Sequence, residues 1–560
     1  MTGTARKLPN AFIGLSFLML GLMAVVMSLQ APSMQFPELQ TDLDTDSSNV
    51  ELIATVYMVF GGAFMVTFGK LADIHGRRRV FLISAVAFAL ACVLSGLAPN
   101  IWILLVGRAI SGIALAGLAT TAVGLVNAGF TEPRARGIAF AIWGAAFGLA
   151  ITFGSLLGAL VDWRIVFFVE AVVVVVSIAG VLWSVGESER CKTHFDVVGT
   201  IFLVVGLMAL IFGLDEASKS GWLFPTDAAS VNLGMSLPFW LFVIFGICIA
   251  GLIVYDRKHA QSGHEVLVDP ELFAQKRFTR GNLTVVLFFL GAFGFIEIYP
   301  LFLQLVLGYG GASLAFAYLP IGIGWTAGSF IASPLGHRYG ARNATAAGIV
   351  LCLVGMIPMI WLLSPNATSL TLLGPTACVG LGLGIAYARI SDIVLIDVPA
   401  EKSSLGGGIL VMFRITSVAV GTALLGAILA ALALNAAVSD VKDVPGLTSS
   451  QQETVETVIR SGTNNSQGRA GGGGTTNSGT NSGTSIADER NDPAVKHAYD
   501  IAVADGYARA MQLVTALSGL LVLISIGSCL WIPKDSRTKD EPAGPVDEGV
   551  PEHAGNASHN

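Results

Sequence analysis

The chain has 560 residues, 53% of them hydrophobic and 12% charged, with a formal net charge of −6. An ordinary soluble chain carries roughly 25% charged residues, so this composition excludes a string of soluble domains. The six cysteines are scattered and form no CxxC pair, which excludes a disulfide framework or a clustered zinc site.

The chain opens "MTGTARKLPNAFIGLSFLMLGLMAVVMSL", a basic start followed by an apolar run too long for a signal-peptide core and without an A-x-A site. It reads as a retained first membrane helix. A bilayer crossing takes about 20 apolar residues at about 1.5 Å each. Apolar windows of that kind recur at 11–31, 50–69, 80–99, 102–126, 137–160, 165–185, 197–214, 236–255, 282–306, 314–335, 344–363, 371–395, 405–434 and 510–532. The expected fold is therefore an all-α polytopic membrane protein of about fourteen helices. An open sheet is excluded, because unpaired backbone groups are not tolerated in hydrocarbon.

Alternate connections divide by charge. One set carries Lys70, Arg77, Arg78 and Arg79, then Arg134 and Arg136, then Arg190 and Lys192. The same side continues with Arg257, Lys258, Lys276, Arg277, Arg280, Arg338, Arg342 and Lys402. The other set holds little basic charge beyond Arg164 and Lys219. The positive-inside rule assigns the basic side, and with it both termini, to the cytoplasm. Two stretches interrupt the rhythm: a polar connection at 256–281, and a segment at 435–509 whose Gly/Ser/Thr/Asn run cannot support a packed core. The latter reads as a flexible external loop with partly helical flanks, and the tail 533–560 as disordered.

Within "FGKLADIHGRRRVF", Gly69 and Gly76 permit a tight turn and close helix approach. Asp73 at a helix end can pair with a neighbouring arginine in one conformation and release it in another. Breaking a partly buried ion pair costs a few kcal/mol, enough to bias a two-state equilibrium.

Gly69, Leu71, Asp73, Gly76, Arg77 and Arg78 resemble the loop between the second and third helices of the major facilitator superfamily. A degenerate copy, "SPLGHRYGAR", keeps Gly340 and Arg342 but has His337 where the acid would stand. "LLVGRAISGIALAG", "DWRIVFFVE", "LVDPELFAQKRFTRGN" and "VPAEKSSLGGGILVMFRITSVAVGTALLGAIL" are similar to further segments of that family's fourteen-helix drug:proton antiporter branch. The resemblance implies two pseudo-symmetric six-helix halves with two helices inserted between them. The expected division is an N-terminal bundle at 1–190, linker helices at 191–260, a cytoplasmic connection at 261–281, and a C-terminal bundle at 282–434 and 510–532. The fifth-helix motif of the branch is altered: Gly154 and Gly158 remain for close packing, but Ser155 stands at the usual Pro. In the first helix, Met23 and Val25 replace the usual acid and Thr.

Ionisable groups inside the membrane are functional candidates, since their insertion costs at least about 2.5–3.5 kcal/mol. All eight histidines fall in expected loops or tails, so a carboxylate is the expected proton carrier. Glu297, near the middle of the expected ninth helix, is the first choice. Arg108 is where the family pattern places an intramembrane cation, and Glu170 lies near an external helix end. Arg389 and Asp392, also proton-coupling candidates, share a helix face, as a local ion pair or as substrate contacts. Asp397 is read as a solvated terminal charge, and Arg414 as a terminal cation that snorkels. Gln30, Tyr299, Gln304, Tyr318 and Trp325 suit the wall of a cavity for an amphipathic compound.

The expected function is proton-coupled efflux of hydrophobic or amphipathic small molecules or drugs across a bacterial cell membrane. The proton gradient would supply the energy, with no cofactor and no metal; no phosphate-binding loop is visible. The expected partners are substrate, protons and lipid, with no nucleic acid, and a monomer suffices for this reading. Competing readings are a dedicated metabolite exporter, an uptake carrier, a non-transporting sensor or scaffold, and a lipid-active enzyme. The enzyme would need a nucleophile or base cluster at one depth, which the loop-bound histidines do not provide.

Overall fold

The computed structural model describes residues 8–45, 47–130, 132–187, 195–224, 234–261, 267, 270–441, 448, 451–457 and 493–533. Among these, fourteen helices are long and apolar enough to cross a membrane. The first six are α1 (Leu8–Ser33), α2 (Ser47–His75), α3 (Arg77–Gly96), α4 (Ile101–Gly129), α5 (Pro133–Leu160) and α6 (Trp163–Ser184). Then follow α7 (Val197–Ser220), α8 (Leu237–Gln261), α9 (Lys276–Leu305), α10 (Gly311–Tyr339), α11 (Ala341–Leu362) and α12 (Ser369–Leu395). Last come α13 (Ser403–Asp440) and α14 (Pro493–Leu530).

Helix ends follow local chemistry. Asn100 caps α4 by accepting the N–H of Ile103, Asp162 caps α6 through Arg164, and Asp196 caps α7 through Gly199. Gly76 and Gly340 hold φ of 101° and 82° and let α2 and α10 reverse straight into α3 and α11.

Packing repeats between the halves. In the first, α1 packs on α5 and α6, α4 on α2 and α3, and α3 on α6. In the second, α9 packs on α13 and α14, α12 on α10 and α11, and α11 on α14. The halves meet through reciprocal pairs: α2 against α13 and α5 against α10, with α4 against α13 and α5 against α12 behind them. The two inserted helices pack together; α7 touches both α2 and α13, and α8 lies outside it. Only 17% of the most apolar stretch of α8 is buried, so most of its surface needs an apolar solvent. Exposed Ile83, Leu90, Trp102, Val172, Trp183, Trp361 and Leu370 on other helices make the same demand, which lipid satisfies.

Two expectations about extent are corrected. Helices α13 and α14, at 38 residues each, run about 57 Å, well beyond the bilayer core. Ala437, Val441, Val455, Val495, Ala498 and Ala502 bury one another in the extension. The segment 435–509 is thus helical at both ends, as its expected flanks are, over a longer stretch than the apolar windows give; its low-complexity part, like the tail from 534, lies outside the described residues. The ninth helix begins at Lys276 rather than 282, and a π-helical turn, Phe289–Phe293, interrupts it. Glu297 stands eight residues from the C-terminal end of α9, past the midpoint of the longer helix.

Candidate functional site

The charged loop builds a clasp between the halves. Asp73 accepts from Arg77 Nε and Nη2 at 3.0 and 2.9 Å, and also from the backbone N–H groups of Ser404 (3.2 Å) and Leu405 (2.9 Å). Those two N–H groups belong to the first turn of α13, where no intrahelical acceptor exists and the helix dipole favours an anion. Arg77 reaches the same turn, donating to Ser404 Oγ at 2.9 Å and to the carbonyl of Ala400. Gly69 completes the fit, because a Cβ there would stand 2.5 Å from the Ser404 carbonyl oxygen.

Arg78 and Arg342 play a different part from Arg77. Arg78 donates to the Leu182 carbonyl at the end of α6, and Arg342 to the carbonyls of Leu530 and Ile532 at the end of α14. Each therefore ties the last helix of its own half to that half's second connection. The degenerate copy keeps this tie and loses the clasp, with Ala341 and His337 at the places of Arg77 and Asp73.

A second tie between the halves was not legible as such. Arg136 Nε donates to Asp392 Oδ1 at 2.6 Å, and Asp392 also pairs with Arg389 on its own helix. Asn127 donates to Ser403 Oγ at 2.8 Å beside it. Arg136 is counted in the sequence with the positive-inside charges, but only 9% of it is exposed. Arg389 and Asp392 thus sit at the basic end of the interface. Asp397, half-exposed, pairs with Arg277 of its own half at 3.1 Å.

Arg108 and Glu170 come together inside the first half, and both are fully buried. Arg108 donates to Ser28 Oγ (2.7 Å), the Ser28 carbonyl (2.8 Å) and the Ile53 carbonyl (3.1 Å), and lies over the Tyr57 ring. Glu170 accepts from Cys92 Sγ at 3.7 Å. Glu170 stands about two helical turns beyond the capped N-terminus of α6 and faces the bundle core.

Glu297 is half-buried, with no hydrogen bond or ion pair to another described residue. Its surroundings explain Tyr318. Pro300 has no N–H to give the Ile296 carbonyl, and the Tyr318 hydroxyl donates to that oxygen instead. Tyr299 packs on Tyr318 and Phe295. Gln30 lies against Gly154, and Gly158 meets the backbone of Ala31, so these glycines seat α5 on α1. Gln304 is half-buried near the outer end of α9.

Trp325 belongs to an aromatic group at the centre of the interface. Trp143 and Phe147 of α5 stack on Tyr387 of α12, which also meets Phe289 and Trp325. Arg414 lies over three of these rings and is 3% exposed. The snorkelling expectation fails: Arg414 is about 16 Å into α13, too deep to reach an interface. The alternation of small and apolar residues around it gives no signal of this in sequence.

Two repeated six-helix bundles, tied by charge at one end and lined by aromatics at mid-depth, define a secondary membrane transporter. Comparison with known proteins agrees: the model of the Major Facilitator Superfamily matches residues 16–422. The chain belongs to that family, and is a transporter and not an enzyme. Similar proteins include the probable actinorhodin transporter of Streptomyces coelicolor, 28% identical over 73% of this chain and 70% of that one. The multidrug resistance protein Stp of Mycobacterium tuberculosis is 27% identical over 74% of each chain. The puromycin resistance protein pur8 of Streptomyces alboniger is 28% identical over 67% of this chain and 73% of that one. Among solved structures, the human organic anion transporter MFSD10 (TETRAN) superposes with a TM-score of 0.53 at 15% identity, covering 76% of this chain and 94% of that one.

Proposed function

We propose that this protein exports hydrophobic or amphipathic small molecules from a bacterial cytoplasm in exchange for protons, by rocking its two halves about the central interface. The observation that carries the reading is the clasp of Asp73 and Arg77 on the first turn of α13. It joins the halves through groups that water can satisfy equally well when they part, which is what a reversible gate requires. The Arg136–Asp392 pair reinforces the same end, which the positive-inside rule assigns to the cytoplasm together with both termini. The named activities of the relatives, antibiotic transport and multidrug resistance, support the substrate class.

Proton coupling is assigned to two carboxylates at similar depth, Glu170 beside Arg108 in one half and Glu297 in the other. Each proton moved inward supplies about 2.3 kcal/mol per 100 mV. Arg389 and Asp392, expected as proton-coupling candidates, are assigned to the gate instead, because they are engaged with Arg136.

The test is an everted-vesicle assay. Addition of an exported drug should dissipate a preformed proton gradient in vesicles holding the protein and leave control vesicles unchanged. A gradient indifferent to every compound that the protein protects cells against would overturn the coupling. Dedicated export of one metabolite is the second reading, favoured by relatives named for a single antibiotic. A susceptibility panel on deletion and overexpression strains separates the two by the breadth of the response.

A further inference from the structure

The Arg414 guanidinium is the centre of a buried site rich in donors and poor in acceptors. Its Nη2 donates to Ser391 Oγ and, at 3.5 Å, to the Tyr387 carbonyl. Its Nε and Nη1 have no acceptor, although both are shielded from solvent. No carboxylate pairs with it among the described residues. The nearest along the neighbouring helix, Asp392, already serves both Arg136 and Arg389. Arg136 and Arg389 share that carboxylate, and Arg414 has none among the described residues.

The rings around Arg414 add to the imbalance. Its Cζ lies 4.1 Å from the Tyr387 ring centroid, 4.9 Å from that of Trp143 and 5.1 Å from that of Phe289. The indole N–H groups of Trp143 and Trp325 are also buried without an acceptor. Four N–H donors thus stand unpaired in one aromatic group. A buried donor left unmade costs about 1–3 kcal/mol, more when charged, so such a group needs a reason. Face-on rings offset part of the charge, and the Tyr387 hydroxyl lies near enough to act on the guanidinium, but Nε and Nη1 are left without a hydrogen bond.

The geometry points to a ligand that brings what is missing: a planar aromatic molecule carrying a carboxylate or phenolate, its anion on Nε and Nη1 of Arg414 and its ring against Tyr387, in the place that Trp143 takes in this structure. A flat anion meets a guanidinium edge through two parallel hydrogen bonds, and a flat ring fits aromatic walls. The division of the cage between the halves supplies the entry route. Trp143 belongs to α5 of the first half, whereas Tyr387, Phe289 and Arg414 belong to the second. Rocking the halves lifts Trp143 off Arg414 and closing returns it over the bound ring. This assignment rests on the transporter reading above and names its substrate class.

The test uses one ring with three charges. Full-length protein in lipid nanodiscs is titrated with 1-pyrenecarboxylate, 1-pyrenemethanol and 1-pyrenemethylamine, and binding is read as energy transfer from tryptophan to pyrene. Arg414→Gln discs of the same lipid remove the contribution of partition. The variant is expected to weaken the carboxylate at least about tenfold, the lower end for a hydrogen bond to a charged group, and the other two less than twofold. Equal weakening of all three, an unchanged carboxylate affinity, or wild-type protein that does not bind the carboxylate would overturn the assignment. If Arg414→Gln is not recovered folded, the wild type decides alone: after subtraction of protein-free discs, the carboxylate must bind at least tenfold more tightly than the alcohol. Because no gradient is present, failure here leaves coupled export standing, and failure of the vesicle assay leaves this binding result standing.

Discussion

Asp73 and Leu405, 332 positions apart in sequence, are joined by a 2.9 Å hydrogen bond from the Leu405 backbone to the Asp73 carboxylate. An acid at the end of α2 is thereby held in the first turn of α13, with Arg77 compensating its charge from the side. Asp73→Asn keeps the shape and removes the charge, giving up charge-assisted bonds worth about 1.5–3 kcal/mol each. We expect the gate to open more often, by about tenfold or more. A cysteine at Val123, which packs against Gly407 behind the clasp, should be labelled by a maleimide correspondingly faster in the variant, with native cysteines replaced. Drug export should fall at least tenfold, and unchanged labelling would remove the clasp as a gate.

Tyr318 is assigned a backbone-satisfying role by the proline beside its acceptor. Tyr318→Phe should cost about 1–2 kcal/mol, because the Ile296 carbonyl loses its donor in an apolar setting. In a Pro300→Ala background the restored N–H makes the hydroxyl redundant, and the same substitution should cost less than half as much. A double-mutant cycle on thermal unfolding in detergent measures the difference. Additive costs would mean that the two residues act independently.

Arg78 and Arg342 each grip the last helix of their own half, while Arg77 crosses between halves. Alanine at Arg78 or Arg342 should lower thermal stability by a few degrees with transport reduced less than about threefold, since partly exposed hydrogen bonds are worth about 1 kcal/mol. Alanine at Arg77 should impair transport tenfold or more, because Asp73 is left buried without its partner and the tie between the halves is lost. Measuring both quantities on the three variants tests the division, and a common pattern for all three would contradict it.

Glu170 and Glu297 differ in what surrounds them, and their glutamine variants should differ accordingly. Glu170→Gln removes a titratable group from the core but leaves the Arg108 bonds to Ser28 and Ile53 in place, so a loss of stability of about 1 kcal/mol is expected along with loss of transport. Glu297→Gln breaks no bond among the described residues. It should leave membrane insertion and unfolding temperature unchanged while abolishing the substrate-driven collapse of a proton gradient. Full coupling in Glu297→Gln vesicles would exclude that residue as a carrier.

Some of these relationships could be read in advance. Gly69, Asp73, Gly76 and Arg77 declare a tight turn and a charge pair because spacing and residue type are local properties of the chain. The partner of that pair could not be read, since Ser404 and Leu405 contribute backbone N–H groups that every residue but proline possesses. The burial of Arg136 and of Arg414 could not be read for a related reason. Hydropathy reports how oily a segment is, averaged around the helix, and does not report which side a single arginine faces. The start of α9 could not be read, because the polar stretch "KRFTRGN" hides its first turns from an apolar window.

The sequence by itself determined the number of membrane-length helices, their up-and-down order and the charge asymmetry that orients them. These follow from helix rise, bilayer thickness and the cost of charge in hydrocarbon, which act on each segment alone. Only the tertiary structure decided that Asp73 meets α13, that Asp392 is shared by two arginines, and that Arg414 faces aromatic rings with two N–H groups unpaired. Those facts depend on how helices rotate and pack against one another, and packing couples residues hundreds of positions apart.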